Sequence, residues 1–155
     1  MIRIKLLLRS ILLPLGIGLV SALAAGGGGN ARAFYQLLPK PEFALPGEMF
    51  PLIWTALYLM MGISDYLART AVSAGGETRR VYLFLLLLSG LWAPVFFRAC
   101  WFGWGLVLIG LMGITLVILI LMLRTSAPLA GWLLVPSLVF ILYAGYLNYA
   151  IIALR

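Results

Sequence analysis

The stretch Phe50-Pro-Leu-Ile-Trp-Thr-Ala-Leu-Tyr-Leu-Met-Met-Gly62 contains no charged residue and lies inside a longer apolar segment, residues 49–68. Such a stretch is suited to the hydrocarbon core of a bilayer. Because backbone that is exposed to lipid must satisfy its own hydrogen bonds, the stretch is predicted to be helical. In a helix, Trp54 and Tyr58 lie one turn apart on the same face. The sequence therefore predicts a membrane helix that carries an aromatic surface inside the bilayer.

The rest of the chain has the same apolar character. Of its 155 residues, 65% are hydrophobic and 10% are charged, whereas soluble domains have about 45–50% apolar and about 25% charged residues. Segments of about 20 apolar residues, the length that crosses a bilayer, occupy about 6–26, 49–68, 81–97, 103–123 and 129–153. Residues 1–155 are therefore predicted to form a single all-α domain, an integral membrane bundle of five transmembrane helices embedded in lipid.

The net charge of +7 would point to nucleic acid in a soluble protein. Here the basic residues lie at the ends of the apolar segments, where they orient helices and meet anionic headgroups, so no nucleic-acid partner is expected. Seven lie on the side of the amino terminus, namely Arg3, Lys5, Arg9, Arg69, Arg79, Arg80 and Arg124. Four lie on the other side, namely Arg32, Lys40, Arg98 and Arg155. This excess predicts an amino terminus inside, and it leaves a bacterial inner or outer membrane open.

The first apolar segment allows two interpretations. Basic residues precede an apolar run that ends in Ala22-Leu-Ala-Ala25, a pattern that is also typical of a cleavable signal peptide. Gly18, Ala22 and Gly26 are spaced by four residues, which predicts a small-residue face for close packing against another helix. We therefore favour a retained membrane helix.

A long connection follows the first helix. Four glycines, residues 26–29, are predicted to end that helix, and Pro39, Pro41 and Pro46 restrict the backbone that follows. Residues 27–48 are therefore predicted to form a stiff loop that acts as a lid.

Aromatic and polar residues recur on several of the predicted helices. Trp54 lies well inside its segment, and its indole N–H needs a partner, which favours a cavity over simple helix packing. Buried Asn148 must also find hydrogen bonds, either by clamping two helices or by contacting a ligand. The candidate ligand-binding residues are Trp54, Tyr58, Ser89, Trp92, Phe96, Phe140, Tyr143, Leu147 and Asn148.

Other features favour structural roles. Trp101, Trp104 and Trp132 lie at segment ends, as interfacial anchors do. Asp65 has Arg69 one turn later, which predicts an ion pair. The run Leu147, Tyr149 and Arg155 fits a loose sterol-contact pattern. With no histidine and a lone cysteine, no metal site and no cofactor are predicted.

Four motifs resemble those of the translocator protein family, also called tryptophan-rich sensory proteins or peripheral benzodiazepine receptors. The run from Phe34 to Pro41 is similar to the family's aromatic-Tyr-x-x-Leu-x-Lys-Pro loop. The runs from Phe50 to Tyr58 and from Leu91 to Phe97 resemble its second and third helices. Residues of the last segment fall in register with its fifth helix: Pro136, Ala144, Leu147, Asn148, Tyr149 and Ala150.

The resemblance implies a five-helix bundle, usually a homodimer, with a pocket beneath the loop between helices one and two. It implies tetrapyrrole ligands such as protoporphyrin, or alternatively sterols and benzodiazepine-type compounds. Trp54, Tyr58 and Trp92 would be pocket aromatics. The lid residues would be Tyr35, Lys40, Pro41, Phe43 and Pro46.

The chain departs from the family pattern at three positions. Phe43 and Phe140 stand where the family has tryptophan, and Ser89 stands where it has asparagine. Some family members degrade porphyrin under light, and the loss of oxidisable indoles puts that activity in question here.

A porphyrin would stack on Trp54 and Trp92, and Lys40 or Arg32 would pair with its carboxylates.

Three hypotheses follow from the sequence. The first is a membrane protein that binds a porphyrin, as ligand rather than cofactor, for sensing, sequestration or transport. The second is an enzyme that breaks down porphyrin in light, with Trp54 and Trp92 as redox participants. The third is a structural membrane subunit whose aromatic face only packs helices. The absence of histidine favours a metal-free porphyrin over haem.

Overall fold

The computed structural model describes residues 3–71 and 75–155. Its helices are α1 (Ile4–Ala24), α2 (Gly27–Leu37), α3 (Met49–Thr70), α4 (Gly76–Ala93), α5 (Phe102–Ser126) and α6 (Pro128–Ala153). α4 runs directly into a π-helical turn over Pro94–Arg98. The described ranges contain no strand, so the all-α prediction is confirmed.

Five of the helices are long and apolar enough to cross a membrane: α1, α3, α4 with its π-helical turn, α5 and α6. This confirms the prediction of a multi-pass bundle of five membrane helices. The largest boundary difference is at α4, which begins at Gly76 instead of near residue 81. Its first turns contain Glu77, Thr78, Arg79 and Arg80, so hydropathy alone does not mark them as part of the helix.

The five long helices form a closed ring. α1 packs on α3, α3 on α6, α6 on α5, α5 on α4, and α4 returns to α1. Met61, Leu85, Met112, Leu116 and Ile141 fill the centre and are almost completely buried. Large apolar side chains on the outside of the ring are exposed, as expected of a surface that faces lipid.

The contact between α1 and α3 depends on glycines. A Cβ on Gly62 would lie 2.7 Å from both Ile11 Cα and Ser10 O. A Cβ on Gly18 would lie 2.5 Å from Cε2 of Tyr58. Gly18 therefore packs closely against α3, in agreement with the small-residue face predicted for the first helix.

The segment between α1 and α3 differs from the expected loop, because its first half is the helix α2. Gly26 and Gly27 adopt positive φ angles of 105° and 74°, a conformation that glycine adopts readily. They end α1 and turn the chain into a proline-free stretch that supports a helix. α2 stops at Leu37, and Leu38, which precedes Pro39, is extended. Only the residues after Leu37 form the loop that the prolines predict.

The bundle has two chemically different ends. At the lid end, α2 and the loop after it lie next to the end of α1 and the start of α3. At the amino-terminal end, α1 begins, α3 ends and α4 begins. Trp101 and Trp104 are exposed at the first end, and Trp132 is exposed at the second, where interfacial anchors are expected. The inside or outside placement of either end stays a prediction.

Asp65, on α3 near the amino-terminal end, is only 4% exposed and has three partners. Ser10 Oγ donates to its Oδ2 at 2.6 Å, and Arg79 Nη1 donates to its Oδ1. Arg69, the partner predicted from the sequence, lies farther away, at 3.8 Å. The carboxylate therefore joins α1, α3 and α4, and its closest cation comes from α4.

Candidate ligand-binding site

Aromatic side chains from three helices meet around Trp54. The ring centroid of Trp54 lies 5.8 Å from that of Trp92 on α4, with the planes stacked at 29°. It lies 5.6 Å from Tyr58 and 5.8 Å from the edge-on ring of Phe140 on α6. The structure thus brings together the aromatic residues predicted on separate helices. Trp54 and Trp92 touch each other, so together they form one wall.

This wall borders a cavity of about 130 Å³ between α1, α2, α3 and α4. Four of the candidate residues line it, namely Trp54, Tyr58, Ser89 and Trp92. Phe97 and Phe50 extend the aromatic lining. The cavity lies directly beneath α2, whose Ala31, Arg32 and Tyr35 form part of its lining.

The remaining candidate residues lie outside this cavity. Phe140 packs behind Trp54, and Tyr143 contacts the lid. Phe96, Leu147 and Asn148 line a separate gap of about 10 Å³ next to Trp92, which is the lower limit for one water molecule. These residues support the aromatic wall from behind.

Sequence reasoning missed the contribution of α1. Gly18, Ser21 and Ala25 line the cavity, and the buried Ser21 Oγ has no hydrogen-bond partner in the part of the chain that the structure describes. Ser89 Oγ, in contrast, donates to Leu86 O at 2.9 Å. The predicted small-residue face was the available signal, because it marks where another surface approaches α1. The sequence did not reveal that part of this surface would be a cavity.

A clasp of two tyrosines holds the loop after α2 in place. Tyr143 Oη, on α6, accepts from the N–H of Leu45 at 2.9 Å and donates to Phe43 O at 3.2 Å. Tyr35 Oη donates to Leu45 O at 3.0 Å. The pKa of Tyr35 is raised to about 12, mainly by burial and to a smaller extent by the nearby Tyr143. Tyr35 is therefore a neutral donor at physiological pH.

The other predicted lid residues differ in exposure. The Phe43 side chain is 75% exposed and does not line the cavity, and Tyr143 contacts the loop through the backbone carbonyl of this residue. Pro46 is exposed and Pro41 is partly buried. Neither proline lines the cavity.

The cation at the cavity is Arg32. Lys40 Nζ donates to the carbonyls of Tyr35, Gln36 and Leu38 at 2.7, 3.0 and 2.9 Å, so it caps the carboxy-terminal end of α2. Arg32 lines the cavity, and its nearest carboxylate, on Glu48, lies 4.0 Å away. Of the two cations predicted to meet a ligand's carboxylates, Arg32 is the one placed to do so.

Asn148 acts as a clamp between helices. With its amide oriented to satisfy both groups, Nδ2 donates to Phe102 O at 3.2 Å and Oδ1 accepts from the N–H of Leu106 at 2.9 Å. These bonds join α6 to the first turn of α5. They favour the clamp over ligand contact, the two interpretations that the sequence left open.

The members of the sterol-contact pattern do not share a surface. Leu147 is buried, whereas Tyr149 is exposed on the outside of α6. The guanidinium carbon of Arg155 lies 4.7 Å from the centre of the Phe102 ring. A sterol on the outside of α6 would contact Tyr149 without reaching Leu147.

Comparison with known proteins identifies the family. The TspO/MBR family model matches residues 10–154. The chain is 34% identical over 156 residues to a tryptophan-rich protein TspO of Chlorobaculum tepidum, with 92% of this chain and 95% of the relative covered. It is 31% identical over 150 residues to a tryptophan-rich protein TspO of Archaeoglobus fulgidus, with 96% of each covered.

A mammalian relative is similar over most of the chain. The translocator protein of Sus scrofa is 32% identical over 127 residues, with 79% of this chain and 75% of the relative covered. Five helices capable of spanning a membrane agree with this relationship. The chain therefore belongs to the TspO/MBR family, and its broad role is that of a sensory or translocator protein of the membrane.

Proposed function

We propose that the protein binds a porphyrin-like tetrapyrrole in the cavity beneath α2, for sensing, sequestration or transport. The observation that carries this proposal is the wall of Trp54 and Trp92 beside a cavity that Arg32 also lines. Flat aromatic rings stack on indole faces. A porphyrin carboxylate would form a charge-assisted hydrogen bond with the guanidinium.

The cavity must enlarge before such a ligand enters. Its volume is about 130 Å³, whereas pockets for small organic ligands usually measure about 300–1,000 Å³. α2 and Gly47 cover it. Tyr35 ties α2 to the loop from Phe43 to Leu45, and Tyr143 ties that loop to α6. Opening of this lid admits the ligand, and its closure keeps water from the bound ring.

A titration of the detergent-solubilised protein with protoporphyrin tests the proposal. We expect saturable quenching of tryptophan fluorescence, with an affinity at least about tenfold weaker in Trp54→Leu, because one stacking face is lost. Trp132→Leu is the matched control, since Trp132 is exposed at the amino-terminal end. Equal affinities in the two variants would remove the site assignment. If protoporphyrin does not bind, while a sterol or a benzodiazepine-type ligand binds more weakly to Trp54→Leu than to the wild type, the proposed ligand class is wrong and the site takes that ligand instead.

The contact between Trp54 and Trp92 also favours a second candidate function. Two stacked indoles next to the cavity, 5.8 Å apart, can share an oxidising hole after a bound porphyrin absorbs light. The excited porphyrin would take an electron from the indole pair and pass it to dioxygen, and the oxidised indoles would then regain an electron from the porphyrin. Dioxygen would thus be the net oxidant and the porphyrin the net reductant. Illumination should then convert porphyrin to a new absorbing product, and more slowly in Trp92→Phe. Bleaching no faster than with an unrelated membrane protein would exclude this activity.

The structural hypothesis makes the opposite prediction for ligands. A subunit whose aromatic face only packs helices would show no saturable binding, and Trp54→Leu would lower only its thermal stability.

We also propose the homodimer that the family resemblance implies. Light scattering on the detergent-solubilised chain, corrected for bound detergent, measures its mass and would give a monomer if this proposal is wrong.

A further inference from the structure

A second cavity lies at the amino-terminal end of the bundle. It has a volume of about 220 Å³ and is bounded by the end of α3, the start of α4 and the α5 residues Leu119 and Leu123. Water occupies about 30 Å³ per molecule in the liquid, so the space would hold a tetrahedral anion together with several waters. Its lining is far more polar than that of the cavity at the lid end.

Two arginines line this cavity, and one carboxylate lies between them. Arg69 and Arg79 both pair with Asp65. Arg79 donates a direct hydrogen bond to its carboxylate, whereas Arg69 lies 3.8 Å from it. The guanidinium carbon of Arg79 also lies 5.4 Å from the centre of the Tyr82 ring. One carboxylate cannot neutralise two guanidinium groups, so the cavity keeps a positive charge. Because each guanidinium has five N–H donors in a fixed plane, donors also remain for a further acceptor.

The start of α4 adds further donors. Gly75 and Gly76 line the cavity, and the first N–H groups of a helix have no partner within it and favour an anion. An independent sign of a missing acceptor is Tyr82, which lines the same cavity and is only 3% exposed. Its hydroxyl has no hydrogen-bond partner among the residues described. A buried hydroxyl without a partner is unfavourable, and an anionic oxygen at this site would supply one.

We propose that this cavity binds an anionic phosphate group, either in the headgroup of a phospholipid or as free phosphate. Arginine guanidinium groups match phosphate geometry with paired hydrogen bonds. Basic pockets between membrane helices at the bilayer surface are suited to such headgroups. Leu119 and Leu123, which are almost completely buried, form the apolar part of the lining.

Native mass spectrometry of the intact detergent-solubilised protein tests the proposal with phosphatidylglycerol, phosphatidylcholine and inorganic phosphate. We expect one phosphatidylglycerol to bind saturably, and phosphatidylcholine to bind at least about tenfold more weakly because the arginines repel its choline. Competition by millimolar phosphate would identify a site that also takes the free anion, whereas no competition would identify the lipid headgroup as the source.

Variants of the lining residues test the geometry. Arg69→Gln should weaken phosphatidylglycerol binding about tenfold, since it removes a charge-assisted hydrogen bond. The neighbouring Arg80→Gln, which removes the same charge from an exposed residue outside the cavity, should leave the affinity within about twofold. Tyr82→Phe removes only a hydroxyl, so it folds with the ring in place and should weaken binding severalfold.

Three results would overturn the proposal. The first is equal weakening by Arg69→Gln and Arg80→Gln, which would indicate diffuse attraction by the basic surface. The second is equal binding of phosphatidylglycerol and phosphatidylcholine. The third is an affinity for phosphatidylglycerol that stays unchanged in each of the single variants Tyr82→Phe and Arg69→Gln.

Discussion

The two ends of the bundle contain cavities built on opposite principles. The cavity at the lid end is lined mainly by aromatic rings and small residues, and one arginine adjoins it. The cavity at the amino-terminal end contains two arginines and a buried aspartate. The first suits a flat apolar ring, whereas the second suits a compact anion. The same membrane bundle therefore supports stacking chemistry at one end and charge chemistry at the other, with a well-packed apolar centre between them.

The charged end should be the more sensitive to a single substitution. Arg79→Ala removes the closest cation from Asp65, which stays buried. Breaking a buried ion pair costs about 3–5 kcal/mol when the remaining charge has no other partner. Ser10 and Arg69 still contact this carboxylate, so we expect a loss of about 2–3 kcal/mol and a clear drop in the thermal unfolding midpoint of the detergent-solubilised protein. Adding Asp65→Asn to the same chain should restore most of the loss, because the buried charge that has lost its closest cation is then gone. A midpoint no lower than that of Arg80→Ala would show that the pair contributes little.

A glycine pair on α1 tests how tightly the lid-end cavity is built. Gly18→Ala places a methyl group 2.5 Å from the Tyr58 ring, and overpacking of this kind costs about 1–3 kcal/mol. We also expect weaker protoporphyrin binding, because Tyr58 must shift within the cavity wall. Gly16→Ala is the matched control, since nothing lies within 4 Å of its added Cβ. That change should stabilise the helix by about 0.5–1 kcal/mol. If both substitutions changed the stability in the same direction, the close contact between Gly18 and Tyr58 would be contradicted.

The lid clasp predicts a kinetic effect. Tyr143→Phe removes the hydroxyl that bonds the backbone of Leu45 and Phe43, at a cost of about 0.5–1.5 kcal/mol because water can reach the freed groups. The loop should then open more often, so proteolysis within residues 38–48 and the association of protoporphyrin should both become faster. Tyr149→Phe on the exposed side of α6 is the control. Unchanged proteolysis and association rates would mean that other contacts hold the lid.

The smallest expected effect is a pH dependence of the lid. The pKa of Tyr35 is raised from 10.0 to about 12, so the folded protein favours the neutral phenol. The stability that this phenol contributes is complete below pH 10 and is lost as the pH rises toward 12. In the wild type, proteolysis within residues 38–48 should therefore accelerate between pH 10 and pH 12. In Tyr35→Phe, proteolysis should already be faster at neutral pH, and its rate should change less as the pH rises. Parallel pH profiles for the two proteins would exclude this role of Tyr35.

Much of the fold could be predicted because hydropathy is a local property. The apolar segments indicated five membrane helices, and the spacing of Trp54 and Tyr58 indicated a shared face. The helix α2 was missed, since a polar segment rich in glycine resembles a loop, and the sequence did not show that Gly26 and Gly27 form the turn between α1 and a second helix. The first turns of α4 were missed because charged residues such as Arg79 and Arg80 lower the hydropathy of a helix end.

The candidate site was only partly predictable, because sequence patterns report on near neighbours along the chain and not on contacts between helices. Periodicity showed which face Trp54 occupies, but it did not show that Trp92 would lie against it or that Phe140 would pack behind it. Lys40 and Arg32 were equal candidates for a ligand contact. The structure separates them, because Lys40 caps α2 with three hydrogen bonds while Arg32 lines the cavity.

The sequence by itself determined the membrane environment, the number of long helices and the aromatic face of α3. These follow from composition and from a period of 3.6 residues, both of which depend on near neighbours along the chain. Only the tertiary structure decided that α1 completes the cavity wall, that Arg79 rather than Arg69 is the closest partner of Asp65, and that Tyr143 holds the lid. Each of these contacts joins residues far apart in sequence, and the order in which the helices close the ring determines which of them meet.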